Sequence, residues 1–348
     1  MSTPPFIAMP DGVALLGPPA APAPVLLAEP DTPVAGVTNG VGGQGAAAGA
    51  AAASGGRESG QGAAAGAAAT SEGGRRATPG AGGPDPAPPS SRTGPRGDVL
   101  LVPGFTGSKE DFIAILAPLA ARGWRVAALD LPGQGGSPAI GPRGSHTLEA
   151  LADAVAAVAE WFAGGRRVHL VGHSMGGLVT REVVLRHPGL LASWTPMCSG
   201  PGPIPQPARA GLRELQAAVA ALPMEQVWIR KEAADRAGGW DPPSEEVAEF
   251  CARRFIANDP AALADCADIL MGAPDLTAAT RQALAGSSVA ATVVTGAADD
   301  AWPVAQQGEM AQRLGVAWRV IDGVGHNPAV EDPAATAEVL DRIFQDAG

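Results

Sequence analysis

Apolar residues fall along this chain in short runs separated by longer stretches of helical spacing. Residues 98–102, 124–129, 168–173, 191–198, 289–295 and 317–322 are such runs, bounded by Gly, Pro or charged residues. Runs of this length read as strands of a parallel sheet, buried on both faces. Between them, residues 109–122, 148–162, 178–187, 304–314 and 333–344 carry apolar side chains three and four apart and are predicted helices. Ser108 stands ahead of the first helix, Glu110 and Asp111 fall in its first turn, and Gly123 ends it; Gly164-Gly165 ends the second. The alternation predicts an α/β fold, a doubly wound and mainly parallel sheet with helices on both faces. It breaks once. Residues 200–286 open on a Pro/Gly cluster and then read as helices alone, among them 211–222, 245–256 and 261–270. They are expected to form a helical cap, inserted after the strand that follows the 178–187 helix. It would lie over the carboxyl ends of the strands, where such sheets bind ligands. Residues 98–199 and 287–348 then make the core.

The first hundred residues differ. Within 1–35, Val13–Leu16 and Val25–Leu27 read as edge strands or as part of a tail. Residues 36–97 are Gly, Ala, Ser, Pro and Arg with almost nothing large and apolar. Such a segment cannot bury enough surface to offset its backbone entropy, so it is expected to be disordered. The chain has 47 Gly and no Tyr, and aromatics are 4% of its 348 residues. Trp161, Trp194 and Trp318 are therefore expected to matter for core packing.

A net charge of −11 argues against nucleic acid as a partner and against a polybasic membrane anchor. No run approaches a membrane span, and no secretory signal is visible. Cys198, Cys251 and Cys266 lack paired metal-ligand spacing. They are expected as reduced, buried thiols in a cytoplasmic protein, with no metal and no cofactor. The oligomeric state is open.

The candidate chemistry centres on Gly172-His173-Ser174-Met175-Gly176-Gly177, between a predicted strand and a predicted helix. A strand turning sharply into a helix strains the residue at the apex, and flanking glycines let the two arms approach. Ser174 is then pushed clear of the backbone, with the first amides of a helix in front of it. A serine hydroxyl needs a base, and the base an orienting acid. The chain has five histidines. His169 falls inside a strand and is expected in the core. His173 is expected to pack or orient, His187 suits a helix C-terminus, and His146 precedes a helix. His326, in a loop of small residues after the last strand, is the remaining candidate base. Asp299 and Asp300 both follow the preceding strand.

This stretch resembles the nucleophile elbow of the α/β-hydrolase family, in its serine-nucleophile, esterase- and lipase-like branch. The resemblance covers the chain from about Asp98 to its end. Gly296, Asp299 and Pro303 fit the family's Gly-x-x-Asp-x-x-x-Pro pattern, which favours Asp299 as the acid, with Asp300 a loop charge or cap. The order Ser174, Asp299, His326 is the family's order. The resemblance implies an oxyanion hole from the backbone N–H groups of Met175 and Phe105. Many members carry His where this chain has Pro103. Asp130 to Ser137 is similar to the family's Asp-x-x-Gly-x-Gly-x-Ser loop, with Asp130 structural.

The resemblance implies a serine hydrolase that cleaves a small or medium apolar carboxylic ester through an acyl-enzyme. Thioester hydrolysis and acyl transfer use the same groups. An epoxide hydrolase or haloalkane dehalogenase of this fold would carry Asp at the apex, where this chain has Ser. A binding module that kept the fold is the reading from a different class. In the cap, Met224, Val227, Trp228, Ile229, Phe250, Phe255, Ile269 and Met271 are at helical spacing and expected mostly as the cap's own core. Arg230-Lys231 and Arg253-Arg254 are expected on solvated faces.

Overall fold

The computed structural model describes residues 13–16, 25–29 and 94–348. The remainder of 1–35 and the stretch 36–93 lie outside the described residues. Eight strands form one sheet in the order β1-β2-β4-β3-β5-β6-β7-β8. These are β1 (Val13–Leu16), β2 (Val25–Ala28), β3 (Gly97–Val102), β4 (Trp124–Leu129), β5 (Val168–His173), β6 (Leu191–Met197), β7 (Ala290–Gly296) and β8 (Ala317–Ile321). β1 and β2 pair antiparallel, and β2 pairs antiparallel with β4. All other pairings are parallel.

The central strands alternate their apolar side chains between two clusters, as the pleat requires. Leu100, Val102, Ala127 and Leu129 join one cluster with α2 (Leu148–Ala163) and α3 (Met175–Arg186). Val99, Leu101, Val126 and Ala128 join the other, against α1 (Ile113–Ala120) and, later in the chain, Leu340, Ile343 and Phe344. With helices on both faces, β3 and β5 meet no solvent. That is why apolar residues fall at consecutive positions in them, as at residues 99–102 and at Leu170-Val171.

The helix expected from 109 to 122 is divided. Lys109–Phe112 is a short 3-10 turn and α1 follows it. The Lys109 N–H is taken by the Asp130 carboxylate at 2.9 Å, and the Asp111 carboxylate reaches back to the Ser108 N–H at 3.1 Å. These side-chain bonds compete with a regular first turn.

Between β6 and β7 lie α4 (Gln206–Ala221), α5 (Met224–Ala237), α6 (Glu245–Ile256), α7 (Pro260–Gly272) and α8 (Thr277–Ala285). Val219, Met224, Val227, Trp228, Cys251, Phe255 and Leu263 form a separate cluster. Ile269, Leu270 and Leu284, from α7 and α8, belong instead to the cluster of Leu100 and Trp194. The chain closes with α9 (Val304–Leu314), the one-turn α10 (Pro328–Glu331) and α11 (Pro333–Asp346).

Three expectations about side chains need correction. Trp161 and Trp318 are 38% and 40% exposed, and the fully buried tryptophans are Trp194 and Trp302. Both buried indoles find acceptors, Thr180 Oγ1 and the Gly202 carbonyl. Ile229 is 64% exposed rather than part of a core. Arg254 does not face solvent. Its side chain is 13% exposed and ion-paired with Asp111, whereas the neighbouring Arg253 is 54% exposed.

Candidate active site

The loops after β3, β5, β6, β7 and β8 all leave the sheet at its carboxyl end. β3 is where the strand order reverses, since the next strand in the chain adds on one side of it and β5 on the other. This is where an open parallel sheet has its crevice.

Ser174 is the single residue between β5 and α3, with φ 55° and ψ −123°. That conformation is strained for any residue with a Cβ. It persists because its surroundings are close-packed. The Ser174 N–H is bonded to the Met197 carbonyl at 2.9 Å. A Cβ on Gly172 would strike the Gly176 carbonyl and Thr180, and one on Gly176 would lie 2.5 Å from the Pro103 carbonyl oxygen. Only glycine lets the two arms of the turn come this near each other and the loop after β3.

Ser174 Oγ lies 3.0 Å from His326 Nε2, and His326 Nδ1 lies 2.8 Å from Asp299 Oδ1. The structure therefore brings together three residues that are 152 and 27 positions apart in sequence. The carboxylate fixes the tautomer, because Nδ1–H must face it and Nε2 is left to accept from the hydroxyl. Asp299 Oδ1 also accepts from the Ala301 N–H at 3.0 Å, and Oδ2 from Gln307 Nε2 at 2.7 Å. Burial by itself would push the Asp299 carboxyl up. The bonds from His326, Ala301 and Gln307 outweigh it and hold the group below its ordinary value. Asp300 points to solvent.

Several supports for this chain are invisible in the sequence. Gln307 is fully buried, and its Oε1 accepts from Thr295 Oγ1, which accepts in turn from Trp318 Nε1. The His326 backbone is gripped on both sides. The Glu331 carboxylate accepts the N–H groups of Gly325 at 2.6 Å and Asn327 at 2.8 Å. His173 Nε2 donates to the His326 carbonyl at 2.7 Å. Burial, with His326 nearby, pushes the His173 pKa down to about 4, so it serves as a neutral donor. The local clues were weak: a Glu one turn beyond a loop, and a Gln inside a helix.

The other two histidines expected at helix ends also have partners. His146 is buried, bonded through Nδ1 to Asp265 at 3.1 Å, and His187 meets Asp153 at 2.9 Å. Asp130 is fully buried and ion-paired with Lys109 Nζ at 2.7 Å.

Met175 is the first residue of α3, so its N–H has no acceptor within the helix. Among the described residues the Phe105 N–H also has no acceptor. The Phe105 side chain packs against both the sheet's cluster and that of α4–α6. Cys198, Asp299 and His326 place one sulfur, one oxygen and one nitrogen within 4.8 Å of one another, the arrangement a metal ion would need. The imidazole is already held between Ser174 and Asp299. Burial, with Asp299 beside it, drives the Cys198 thiol far up and keeps it protonated. The trio is thus a hydrogen-bonded acid–base chain with a packed thiol next to it. Among the described residues, no helix is long and apolar enough to cross a membrane.

Comparison with known proteins agrees with this architecture. Pimeloyl-[acyl-carrier protein] methyl ester esterase of Aeromonas hydrophila is 36% identical over 110 residues, 32% of this chain and 41% of that protein. The chain thus spans less than half the length of this curated relative. An esterase from Thermogutta terrifontis superposes with a TM-score of 0.60 at 26% identity, covering 73% of this chain and 92% of the other. The enol-lactonase of Burkholderia xenovorans shares the fold, with a TM-score of 0.58 at 21% identity over 73% of this chain and 93% of its own. A family model described as "Alpha/beta hydrolase family" matches residues 99–339. The chain belongs to the alpha/beta hydrolase family.

Proposed function

We propose that the protein is a serine hydrolase of carboxylic esters. The observation that carries this reading is the unbroken path from the Ser174 hydroxyl through His326 to Asp299, at 3.0 and 2.8 Å. Ser174 Oγ attacks the ester carbonyl carbon while His326 Nε2 takes the hydroxyl proton. The carbonyl π electrons move onto oxygen, and the N–H groups of Met175 and Phe105 stabilise that oxyanion. Collapse expels the alcohol, which receives the proton from Nε2. A water molecule, deprotonated by the same nitrogen, then attacks the acyl carbon. Collapse of that intermediate breaks its bond to Ser174 Oγ, which takes the proton back from Nε2 as the acid leaves. Asp299 holds the imidazole and stabilises its charged form without itself being protonated.

The substrate reading is a small or medium apolar acyl ester. The position of Phe105, between the sheet's cluster and that of α4–α6, supports it, as do relatives named for ester and lactone substrates. Residues 200–286 act as the cap over the acyl group. The three cysteines are free and buried, which suits the cytoplasm.

A fluorophosphonate probe should label the wild type at Ser174 and leave Ser174→Ala unlabelled. Nitrophenyl esters of increasing acyl length should be turned over by the wild type alone. A folded wild type that takes no label would favour a binding module. Label without ester turnover would favour thioester or transfer chemistry.

A further inference from the structure

The loop 130–137 follows β4. It carries Gln134, which is 2% exposed and donates from Nε2 to the Gly104 carbonyl at 3.1 Å. Gly104 lies in the loop after β3 and abuts the serine, since a Cβ there would sit 2.8 Å from Ser174 Cβ. The same carbonyl takes a second bond from the Gly107 N–H at 3.2 Å. The Gly104 carbonyl and the Phe105 N–H belong to one planar trans peptide and point in opposite directions. Whatever fixes the carbonyl therefore aims the N–H.

The far end of that loop is fastened by the same segment. Asp130 accepts from the Lys109 N–H at 2.9 Å and from Lys109 Nζ at 2.7 Å, and also holds the Gly136 N–H at 3.0 Å. Gln134 differs from Asp130 in one respect. Among the described residues its Oε1 is buried with no partner. A buried acceptor without a donor costs stability, so the fold does not gain from having an amide here rather than an apolar side chain of the same shape.

We propose that Gln134 is a positioning residue for the oxyanion hole, holding the Gly104–Phe105 peptide so that the Phe105 N–H meets the developing charge. This inference rests on the serine-hydrolase reading. Gln134→Met keeps the volume and removes both the donor and the orphaned oxygen. It is expected to melt within about 2 °C of the wild type or above it. Its kcat on a nitrophenyl ester should fall by about 10-fold or more, with KM within about two-fold. Affinity for a trifluoromethyl ketone, which places an oxyanion in the same hole, should fall by the same factor as kcat. Gln134→Glu supplies a second readout. A buried carboxyl donates only when protonated, so the rate of this variant relative to wild type should rise as pH falls.

A folded Gln134→Met with wild-type kcat would overturn the inference. So would a kcat loss that leaves ketone affinity unchanged. The fluorophosphonate label separates the two levels. An unlabelled wild type removes the hydrolase reading and this inference with it. A labelled wild type beside an unimpaired Gln134→Met removes only the inference.

Discussion

The sheet and the helical insertion are held in different ways. Around β3, β4 and β5, apolar side chains fill both faces, and the two clusters there contain nearly every large residue of the core. Helices α4–α6, with Leu263 of α7, share a smaller cluster. Leu212 of α4 and Cys266, Ala267, Ile269 and Leu270 of α7 join the sheet's own cluster, and charge adds further contacts to the loops. Arg254 on α6 pairs with Asp111, and Asp265 on α7 accepts from Arg143, His146 and the Gly144 N–H. Apolar burial has no direction and sets how layers stack. Charged hydrogen bonds are directional, and here they join particular atoms of the helices to particular loops of the sheet. The Asp111 carboxylate that receives Arg254 also binds the Ser108 N–H, at the end of the loop that holds Phe105. The seating of the insertion is therefore tied to the geometry of the site.

The largest expected effect lies at the carboxyl end of the sheet. Asp299→Asn should keep the fold and lower kcat by about 10⁴-fold, because the amide no longer holds the imidazole in the right tautomer. Asp300→Asn should stay within about two-fold of wild type, since that side chain faces solvent. Steady-state kinetics with circular dichroism on both variants decides it. The opposite ranking would mean that the buried carboxylate is only a structural charge.

The next effect probes the insertion through two adjacent arginines. Arg254→Met leaves Asp111 largely buried without its ion partner, with the Ser108 N–H still bonded to it, and should cost about 3 kcal/mol in urea unfolding. Arg253→Met loses only an exposed pair with Glu249, one helical turn away, and should cost less than about 0.5 kcal/mol. Equal costs would erase the distinction between charge that seats the insertion and charge that decorates it.

That pair also marks what the sequence could and could not reveal. Arg253 and Arg254 look alike in a run of letters, and only the direction of α6 separates them. The strands were legible because burial on both faces puts apolar residues at consecutive positions, and the turn at Ser174 because glycine alone allows its close approaches. His326 stood out because the chain has five histidines. Gln134, Gln307 and Glu331 did not stand out. Each acts through a hydrogen bond to a backbone or side-chain atom on another segment, and neither periodicity nor composition records such a bond. Tryptophan burial misled for a related reason. Trp302 follows a loop and fills space against Gly200, while Trp318 sits on the edge strand β8, half exposed, with its Nε1 on Thr295 and its ring against Gly308.

Acid gives the smallest expected effect and separates the two regions once more. Burial lowers the pKa of His169 to about 4, where β5 packs it between Trp124 and Phe344 with Nδ1 on Ser193 Oγ. His173 is lowered to about 4 as well, chiefly by burial. The unfolded chain therefore takes up a proton at each site near pH 6.5, and the folded chain does not until near pH 4. The stability these groups provide is complete above pH 6.5 and is lost progressively as pH falls toward 4. The loss is about 1.4 kcal/mol per histidine per pH unit. His173→Gln keeps an N–H for the His326 carbonyl and cannot take up the proton. Between pH 6 and 5 its unfolding free energy in urea should fall less steeply than wild type, by about that amount. Arg254→Met should start lower across the whole range. A wild-type stability that is flat from pH 7 to 5 would mean that water reaches both rings, and that β5 is not sealed by the helices on either side of the sheet.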